Sequence, residues 1–509
     1  MSRRRGRERV RAEAANPMRN VDYRNLRNPF PAMNAFTEDR IEAVHAASLK
    51  TLEELGVKVL LPEARKIFKA AGARVDEAEE MVFIGRELVE AALATAPKSI
   101  NLRAGARHRD LTLKLGSLVF QPGAGAPHAT DLVRGRRPGS LQDFREMVML
   151  TQHYDVLHMV PPLVEAQDIP IHLRHYAMTE AELTLSDKLP FIFSRGTPQV
   201  MDGFEMIREF RGLSDAEFHG ESHCYTIINT NSPRVIDMPM AQGLIDFARA
   251  GQMAIVTPFT LMGAMAPITV AGAMMLSHAE ALAAITLTQM TKPGAPVCYG
   301  TFTSNVHMKS GAPAFGTPEH FTASLVAGQL ARKVGLPWRC AGGSAANIND
   351  AQAANESQFG LWGCLMAGAT VIIHSAGWLE GGLTVSFEKI ITDLEVLQMV
   401  GELCAGTPAT DADIAFEALR EVGPSGHFFG ASHTMERYQT QFYEPVVADW
   451  SNFGTWTERG SVDANHRATG IWQGIVDNFT PPPHDPDRLA GLEEFIARRT
   501  EEGGAPPES

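Results

Sequence analysis

The sequence predicts an α/β protein built on a (β/α)8 TIM barrel, with an N-terminal helical appendage and a C-terminal helical and loop extension. Three observations predict it. Eight short apolar runs, at 117–121, 156–160, 189–194, 223–229, 253–258, 296–302, 336–341 and 370–375, each end in a residue that breaks or turns a strand. They alternate with helical stretches such as Val270–Thr291 and Pro318–Val334, at roughly 30 to 45 residues per repeat, a spacing that suits eight parallel strands better than a six-stranded doubly wound sheet. No G-x-G-x-x-G or G-x-x-x-x-G-K-[ST] follows any run, so a nucleotide-phosphate cradle has no support. A chain of 509 residues, 44% hydrophobic and 21% charged, can bury the core that such a fold requires.

Taken in order, residues 1–20 are rich in arginine and lack an apolar segment and cleavage site, so they read as a disordered basic tail and not as a secretion signal. Residues 21–115 form the appendage. Its first helix, over 37–55, has apolar residues at helical spacing (Ile41, Val44, Leu52, Leu55), Thr37 as a cap and Gly56 after its end. A second runs over 63–71 to Gly72, and a third over 86–96 is stopped by Pro97. The barrel occupies 116–405. Residues 406–509 form the extension, whose proline-rich stretch and Gly/Pro/Glu end are expected to be disordered. No uninterrupted apolar run of about 18 residues is present, so no membrane span is expected.

The formal charge of −13 argues against a nucleic-acid partner, because such binding relies on a basic surface that releases counterions. Five widely spaced cysteines without a C-x-x-C pair indicate neither a disulfide framework nor a zinc finger and fit a reducing cytoplasm.

Barrel chemistry sits at the carboxyl ends of the strands. Those ends hold Gln121, Gly123, Ser194, Arg195, Asn229, Asn231, Thr257, Phe259, Tyr299, Phe302, Gly342, Gly343, His374, Trp378 and Glu380, with no lysine for a Schiff base. Cys224, Cys298 and Cys340 fall in three different strands, as core thiols or as zinc ligands. The remaining company is aromatic: Tyr299, Phe302, Phe359, Trp362 and Trp378, near Glu356, His374 and Glu380. Ring faces attract a quaternary ammonium by about 0.5 to 2 kcal/mol per contact, so this set suits a permanent cation as well as it suits core packing.

Four segments together resemble the trimethylamine methyltransferase family: Gly263-Ala-Met-Ala-Pro-Ile-Thr-Val-Ala-Gly with Glu280 behind it, Gly311-Ala-Pro-Ala-Phe-Gly-Thr-Pro-Glu319, Asp350-Ala-Gln-Ala-Ala-Asn-Glu356, and His374-Ser-Ala-Gly-Trp378-Leu-Glu380-Gly-Gly-Leu. The resemblance covers roughly residues 20 to 480 and implies the same barrel fold. It also implies methyl transfer from a methylamine or betaine to a corrinoid protein. Archaeal trimethylamine enzymes of the family carry pyrrolysine just before the stretch matching Asp350-Ala-Gln352; here Asn347-Ile348-Asn349 stand there, and none of the three can form a covalent amine adduct. The chain therefore resembles the non-pyrrolysine branch, whose substrates are glycine betaine and related quaternary amines.

That resemblance implies a corrinoid carried in trans by a partner protein, with no tightly bound cofactor in this chain; no Asp-x-His-x-x-Gly signature is present. A homo-oligomer is compatible with it. Tyr299, Phe302, Phe359, Trp362 and Trp378 are the candidates for a cage around the ammonium group. Asn347, Asn349, Gln352 and His374 are candidates to bond a substrate carboxylate or hydroxyl, and Glu356 and Glu380 to attract the cation. No acid–base pair is required, since a quaternary nitrogen leaves as a neutral amine. Two alternatives remain: a zinc-dependent thiol or alcohol methyltransferase using the three strand cysteines, and a non-catalytic binder of quaternary amines.

Overall fold

The computed structural model describes residues 21–508; the tail expected over 1–20 lies outside them. The protein has a mixed α/β fold. Its main sheet runs, in spatial order, Leu26–Arg27, Ser117–Phe120, Val371–Ile373, Trp338–Ala341, Val297–Gly300, Met253–Val256 and Tyr225–Ile228. All neighbours are parallel except Leu26–Arg27, which pairs antiparallel with Ser117 and Leu118. Six of the eight expected runs are therefore strands of one sheet.

The other two, at 156–160 and 189–194, contribute single bridges, Met159 to Leu189 and Phe191 to Tyr225, instead of ladders. Proline explains the difference. Pro190 removes a donor from the second position of one run, and Pro161 and Pro162 end the other. Backbone bonds nevertheless continue the pattern: His158 N–H donates to Phe120 O at 2.9 Å, Val160 N–H to Leu189 O at 3.0 Å and Ile192 N–H to Tyr225 O at 2.9 Å.

Side chains alternate across the sheet. One face, with Tyr299, Trp338, Cys340 and Ile372, joins the large core shared with the helices. The opposite face, with Val119, Tyr225, Ile255, Cys298, Ala341 and Ile373, forms a separate core. Its end near the strand starts is closed by the hairpin Ser99–Leu102 and Leu111–Lys114, which inserts Ile100, Leu102, Leu111 and Leu113.

The appendage helices form as Glu38–Lys50, Pro62–Ala70 and Arg86–Thr95. The first continues into a wider helical turn over Thr51–Leu55, which Gly56 closes with φ 68°; a Cβ there would meet Val82 O at 2.7 Å, so the glycine is required, while Thr37 stands at the cap position without a side-chain bond. Val270–Thr291 is 22 residues long with a mean hydropathy of 1.4, enough to cross a membrane by length and composition, which the expectation of no span had not registered. It is a core helix: 78% of its apolar window is buried, and it packs against Glu38–Lys50, Arg86–Thr95, Met238–Ala250 and Pro318–Val334. A helix covered on all sides is apolar all round.

The carboxyl end departs from its expected disorder. Ala505 is buried, its N–H donates to His172 O at 3.0 Å, Gln199 Nε2 donates to Ala505 O at 2.9 Å, and Glu508 N–H donates to Arg195 O at 3.0 Å. Composition failed there because three bonds to neighbouring elements outweigh weak local preference.

Two outcomes test this packing. Helices Pro318–Val334 and Ala351–Ala367 approach so closely at Gly328 that a Cβ would lie 2.2 Å from Ala367 O. Gly328→Ala lowers unfolding free energy by about 1 to 3 kcal/mol, whereas Gly470→Ala, where nothing lies within 4 Å, leaves it equal or raises it by up to about 1 kcal/mol. The second concerns His175, buried with neither ring nitrogen bonded, whose pKa is pulled down to about 4, chiefly by burial. Above about pH 6.5 the ring is neutral in both states and stability does not depend on its titration; as pH falls toward 4 the unfolded chain takes up a proton that the folded chain refuses, and stability is lost. His175→Phe therefore gains on the wild type by about 1.4 kcal/mol per pH unit across that window, read from urea unfolding at a series of pH values.

Candidate functional site

The inner core is sealed at the hairpin end and meets solvent at the carboxyl ends of the strands, where Phe193, Ile227, Phe259 and Ala345 are only partly buried. Phe302 stands at the centre of this end. Its ring centroid lies 5.0 Å from Phe259, 5.3 Å from Phe315, 5.4 Å from His374 and 5.7 Å from Trp378. His374 stacks on Trp378 at 4.4 Å and 21°. Phe302, His374 and Trp378 are thus the residues singled out in the sequence that the fold brings together.

Trp378 owes its place to glycine. Added Cβ atoms at Gly343, Gly382 and Gly123 would come within 2.2, 2.5 and 3.2 Å of its indole. The loop before it is pinned by Asp393, which accepts from Gly377 N–H at 2.9 Å and pairs with the buried Lys389 at 2.9 Å. His374 adopts φ 54°, a left-handed conformation that costs a non-glycine residue about 1 to 3 kcal/mol and recurs at functional sites. Its Nδ1 accepts from Ala124 N–H at 3.2 Å, which leaves the proton on Nε2. Burial, with the Arg339 charge second, holds its pKa well below the usual histidine value, so the ring is neutral near pH 7.

The sequence reading missed Arg339. It lies mid-strand between Trp338 and Cys340, which face the outer core, so its side chain enters the inner one. Its guanidinium carbon is 5.4 Å from the Phe302 ring centroid, Nη1 donates to Thr301 O at 3.2 Å, and Nε has no partner. Only 1% of the residue is exposed, and among the described residues no carboxylate lies within ion-pair distance. Burial pulls its pKa down to about 9, so it stays charged near neutrality. A charged residue inside an otherwise apolar strand, Trp-Arg-Cys-Ala, was the available signal.

Two more donors in this core lack acceptors: Gln121 Nε2 and Trp378 Nε1. Gln121 Oε1 lies 3.0 Å from the Tyr225 hydroxyl, and Tyr225 in turn feels the Arg339 charge. An apolar core that carries one guanidinium and unsatisfied N–H groups is suited to receive an anion.

The other residues predicted from sequence lie elsewhere. Tyr299 faces the outer core, its hydroxyl 2.9 Å from His278 Nδ1, and His278 continues to His45 at 2.9 Å. Trp362 packs near Phe30 on the outer surface of the helix layer, and the exposed Phe359 contacts Phe321. Asn347 is exposed; Asn349 bonds Thr392 and Asn465 at 3.2 and 2.7 Å; Gln352 donates to Glu356 at 2.8 Å.

Glu356 is occupied in holding a loop. Its Oε2 accepts from Ser344 Oγ at 2.6 Å, Ala345 N–H at 2.8 Å and Ala346 N–H at 3.2 Å. Glu380, with φ 53°, is clamped by Arg136 at 2.8 and 3.0 Å; burial opposes its charge, but that guanidinium keeps its carboxyl below the usual range.

The three strand cysteines are not brought together: Cys298 belongs to the inner core, Cys224 and Cys340 to the outer. Burial raises all three thiols, Cys298 to about 12, which disfavours the thiolate a metal requires. Among the described residues no group of three His, Cys, Asp or Glu is arranged to hold a metal ion.

Comparison with known proteins decides the family. A model described as trimethylamine methyltransferase (MTTB) matches residues 3–504. The chain belongs to the trimethylamine methyltransferase family. It is 33% identical over 476 residues to the glycine betaine methyltransferase of Desulfitobacterium hafniense (strain Y51), covering 93% of this chain and 98% of that one. It is 30% identical over 473 residues to the trimethylamine methyltransferase MttB of Desulfitobacterium hafniense (strain DSM 10664 / DCB-2), covering 92% and 94%. Among solved structures, the Methanosarcina barkeri monomethylamine methyltransferase (MtmB) aligns with a TM-score of 0.45 at 11% identity, covering 93% and 97%. The chain is a methyltransferase.

Removing the Glu356 carboxylate tests its loop-holding role. In Glu356→Ala the amide of Ala345 loses its acceptor while that of Ala346 keeps Ser344 Oγ at 3.0 Å, so exchange at Ala345 accelerates by about tenfold or more, at about 1.5 kcal/mol per charged bond, while exchange in Val270–Thr291 stays as in the wild type.

Proposed function

We propose that this methyltransferase takes its methyl group from a quaternary amine that also bears a carboxylate, a betaine, and passes it to the corrinoid of a partner protein. One juxtaposition carries the reading: a buried guanidinium without a counter-charge lies beside the Phe302 ring, at the wet end of an apolar core. A zwitterion with a soft cation at one end and a carboxylate at the other complements both features. The relatives named for glycine betaine and trimethylamine support a methylated amine as donor.

Arg339 receives the carboxylate, with Gln121 Nε2 and Trp378 Nε1 as further donors. Phe302, with Phe193 and Phe259 at the rim, offers ring faces to the ammonium head, and Trp378 backed by His374 forms the floor behind Phe302. Tyr299, Phe359 and Trp362 serve packing, and Glu356 and Glu380 serve the loops. The corrinoid of the partner, as methyl acceptor, supplies a Co(I) nucleophile. The electron pair of the broken C–N bond stays on nitrogen, which leaves as a neutral tertiary amine, so this chain's residues bind, orient and exclude water without donating a proton. A neutral His374 agrees with that demand.

The same proposal treats the sheet as a closed ring of eight. The bonds linking Phe120 to His158, Val160 to Leu189 and Ile192 to Tyr225 support that ring, as does the sealed inner core. All five cysteines are free thiols, which supports a reducing compartment.

The test is methyl transfer to cob(I)alamin from glycine betaine and, in parallel, from choline, which lacks the carboxylate. Arg339→Gln raises KM for glycine betaine by about 30-fold or more, the worth of a desolvated charge-assisted pair of about 2 to 4 kcal/mol, and changes the choline reaction little. Equal losses with both amines, or none with betaine, would overturn the assignment.

A further inference from the structure

We propose that a cavity at the amino ends of the strands, opposite the aromatic cluster, is a second anion site that takes a phosphate group. The cavity measures about 350 Å³, within the ordinary range for a small-molecule pocket. It lies where the turn after strand Ser99–Leu102, the carboxyl end of helix Thr197–Arg211, the chain entering strand Tyr225–Ile228 and the residues before helix Pro486–Glu501 come together. The proposed methyl transfer uses the other end of the strands and leaves this cavity unexplained.

Two polar side chains in its wall have unmet demands. Arg211, the last residue of its helix, donates from Nη1 to Arg103 O at 3.0 Å and to His223 O at 3.4 Å, and among the described residues no carboxylate lies within ion-pair distance of it. Burial lowers its pKa to about 10, so it stays charged near neutrality. His223 is 4% exposed, its ring stacks on Phe218 at 5.7 Å and 13°, and neither ring nitrogen makes a hydrogen bond. Burial, then the Arg211 charge, bring its pKa down to about 4 against a smaller pull from the Glu217 backbone, so the neutral ring offers one N–H and one bare nitrogen. A guanidinium without a counter-charge and a buried imidazole without a partner each cost stability, and one acceptor in the cavity between them meets both.

The carboxylates around the cavity do not meet that demand. Asp110 and Glu221 are taken by Arg103, at 2.7 Å each; Glu217 closes a capping box with Ser214, and Asp485 caps helix Pro486–Glu501. Glu217 and Asp485 are also exposed, where salt and water screen them. The unmet charge in the wall is therefore positive. Arg107, exposed and 3.7 Å from Asp110, adds a further guanidinium at the rim. Donors thus reach the cavity from three elements: the helix end, the strand start and the turn Arg107–Arg109. A tetrahedral phosphate offers oxygens in as many directions, whereas a carboxylate offers two in one plane, so the donor set favours phosphate.

Calorimetric titration of the full chain with inorganic phosphate, up to about 20 mM near pH 7 in about 0.1 M salt, tests the site. The wild type binds phosphate at one saturable site. His223→Phe keeps a ring on Phe218 but has no N–H, and weakens binding by about tenfold; Arg211→Met weakens it by about 30-fold or more. Arg211→Met also gives up two carbonyl bonds, so where it fails to fold His223→Phe decides. Arg339→Gln keeps wild-type affinity, which separates this cavity from the guanidinium of the inner core. No saturable binding by the wild type, wild-type affinity in His223→Phe, or loss of binding in Arg339→Gln would each overturn the proposal.

Discussion

Taking a guanidinium out of water costs several kcal/mol unless an anion meets it, and Arg339 is taken out of water without one among the described residues. The protein offsets only part of that cost, through one carbonyl, Thr301 O, and the face of Phe302. An apolar residue of similar volume would stabilise the inner core better, and the packed neighbours Cys298 and Ala341 show that the core readily accepts such residues. What the free protein lacks, an anionic ligand provides. Binding a carboxylate there gains more than a surface salt bridge does, because the desolvation of the guanidinium is complete before the ligand arrives. On the proposed betaine reading, ring faces alone would hold any soft cation, and the distance from Phe302 to the guanidinium is what would restrict the ligand to one with two poles.

The proposed transfer asks the site to position its ligand and not to move a proton, and positioning requires rigidity. Four helix carboxylates supply that rigidity by collecting loop groups. Glu280, in the long core helix, accepts from Thr230, Ser232 and Arg234 N–H, all at 2.7 to 2.8 Å, and fixes the loop after strand Tyr225–Ile228. Glu356 does the same after Trp338–Ala341, Asp393 for Gly377 beside Trp378, and Glu388 for Leu132 N–H and Trp472 Nε1. Glycine does the complementary work. Gly343 and Gly382 let backbone approach the two sides of the Trp378 indole, so the tryptophan is held by main chain that is itself held by carboxylates.

The strand spacing, the appendage helices and the aromatic residues at 302, 374 and 378 were legible from the sequence because each leaves a local mark: a period, a breaker, a strand-end position. What was not legible depended on which face of a strand a side chain takes. Tyr299 and Phe302 are three residues apart and both lie near a strand end, yet Tyr299 faces the outer helices and Phe302 the inner core, because an odd separation along extended chain puts side chains on opposite faces. Glu356 and Glu380 read equally well as cation receptors until their oxygens are seen to be committed to Ser344, Ala345 and Arg136. Arg339 was hidden for the opposite reason: a charge in a buried strand looks like an anomaly when only the hydrophobic pattern is read.

The two ends of the molecule have opposite deficits. At the strand ends the protein lacks a charge, and over 414–442, in the excursion the chain makes between Ala405 and Tyr443, it lacks a cover. Neither is a defect of folding, because the intervening structure is well satisfied: Glu395 alone takes three backbone N–H groups and a hydroxyl at the point where the excursion returns. Both deficits therefore persist in the folded monomer and are available to be met by something else. Helix Phe387–Ala405 begins beside the strand ends, so the excursion leaves it about 28 Å from them and rejoins it midway, at Glu395.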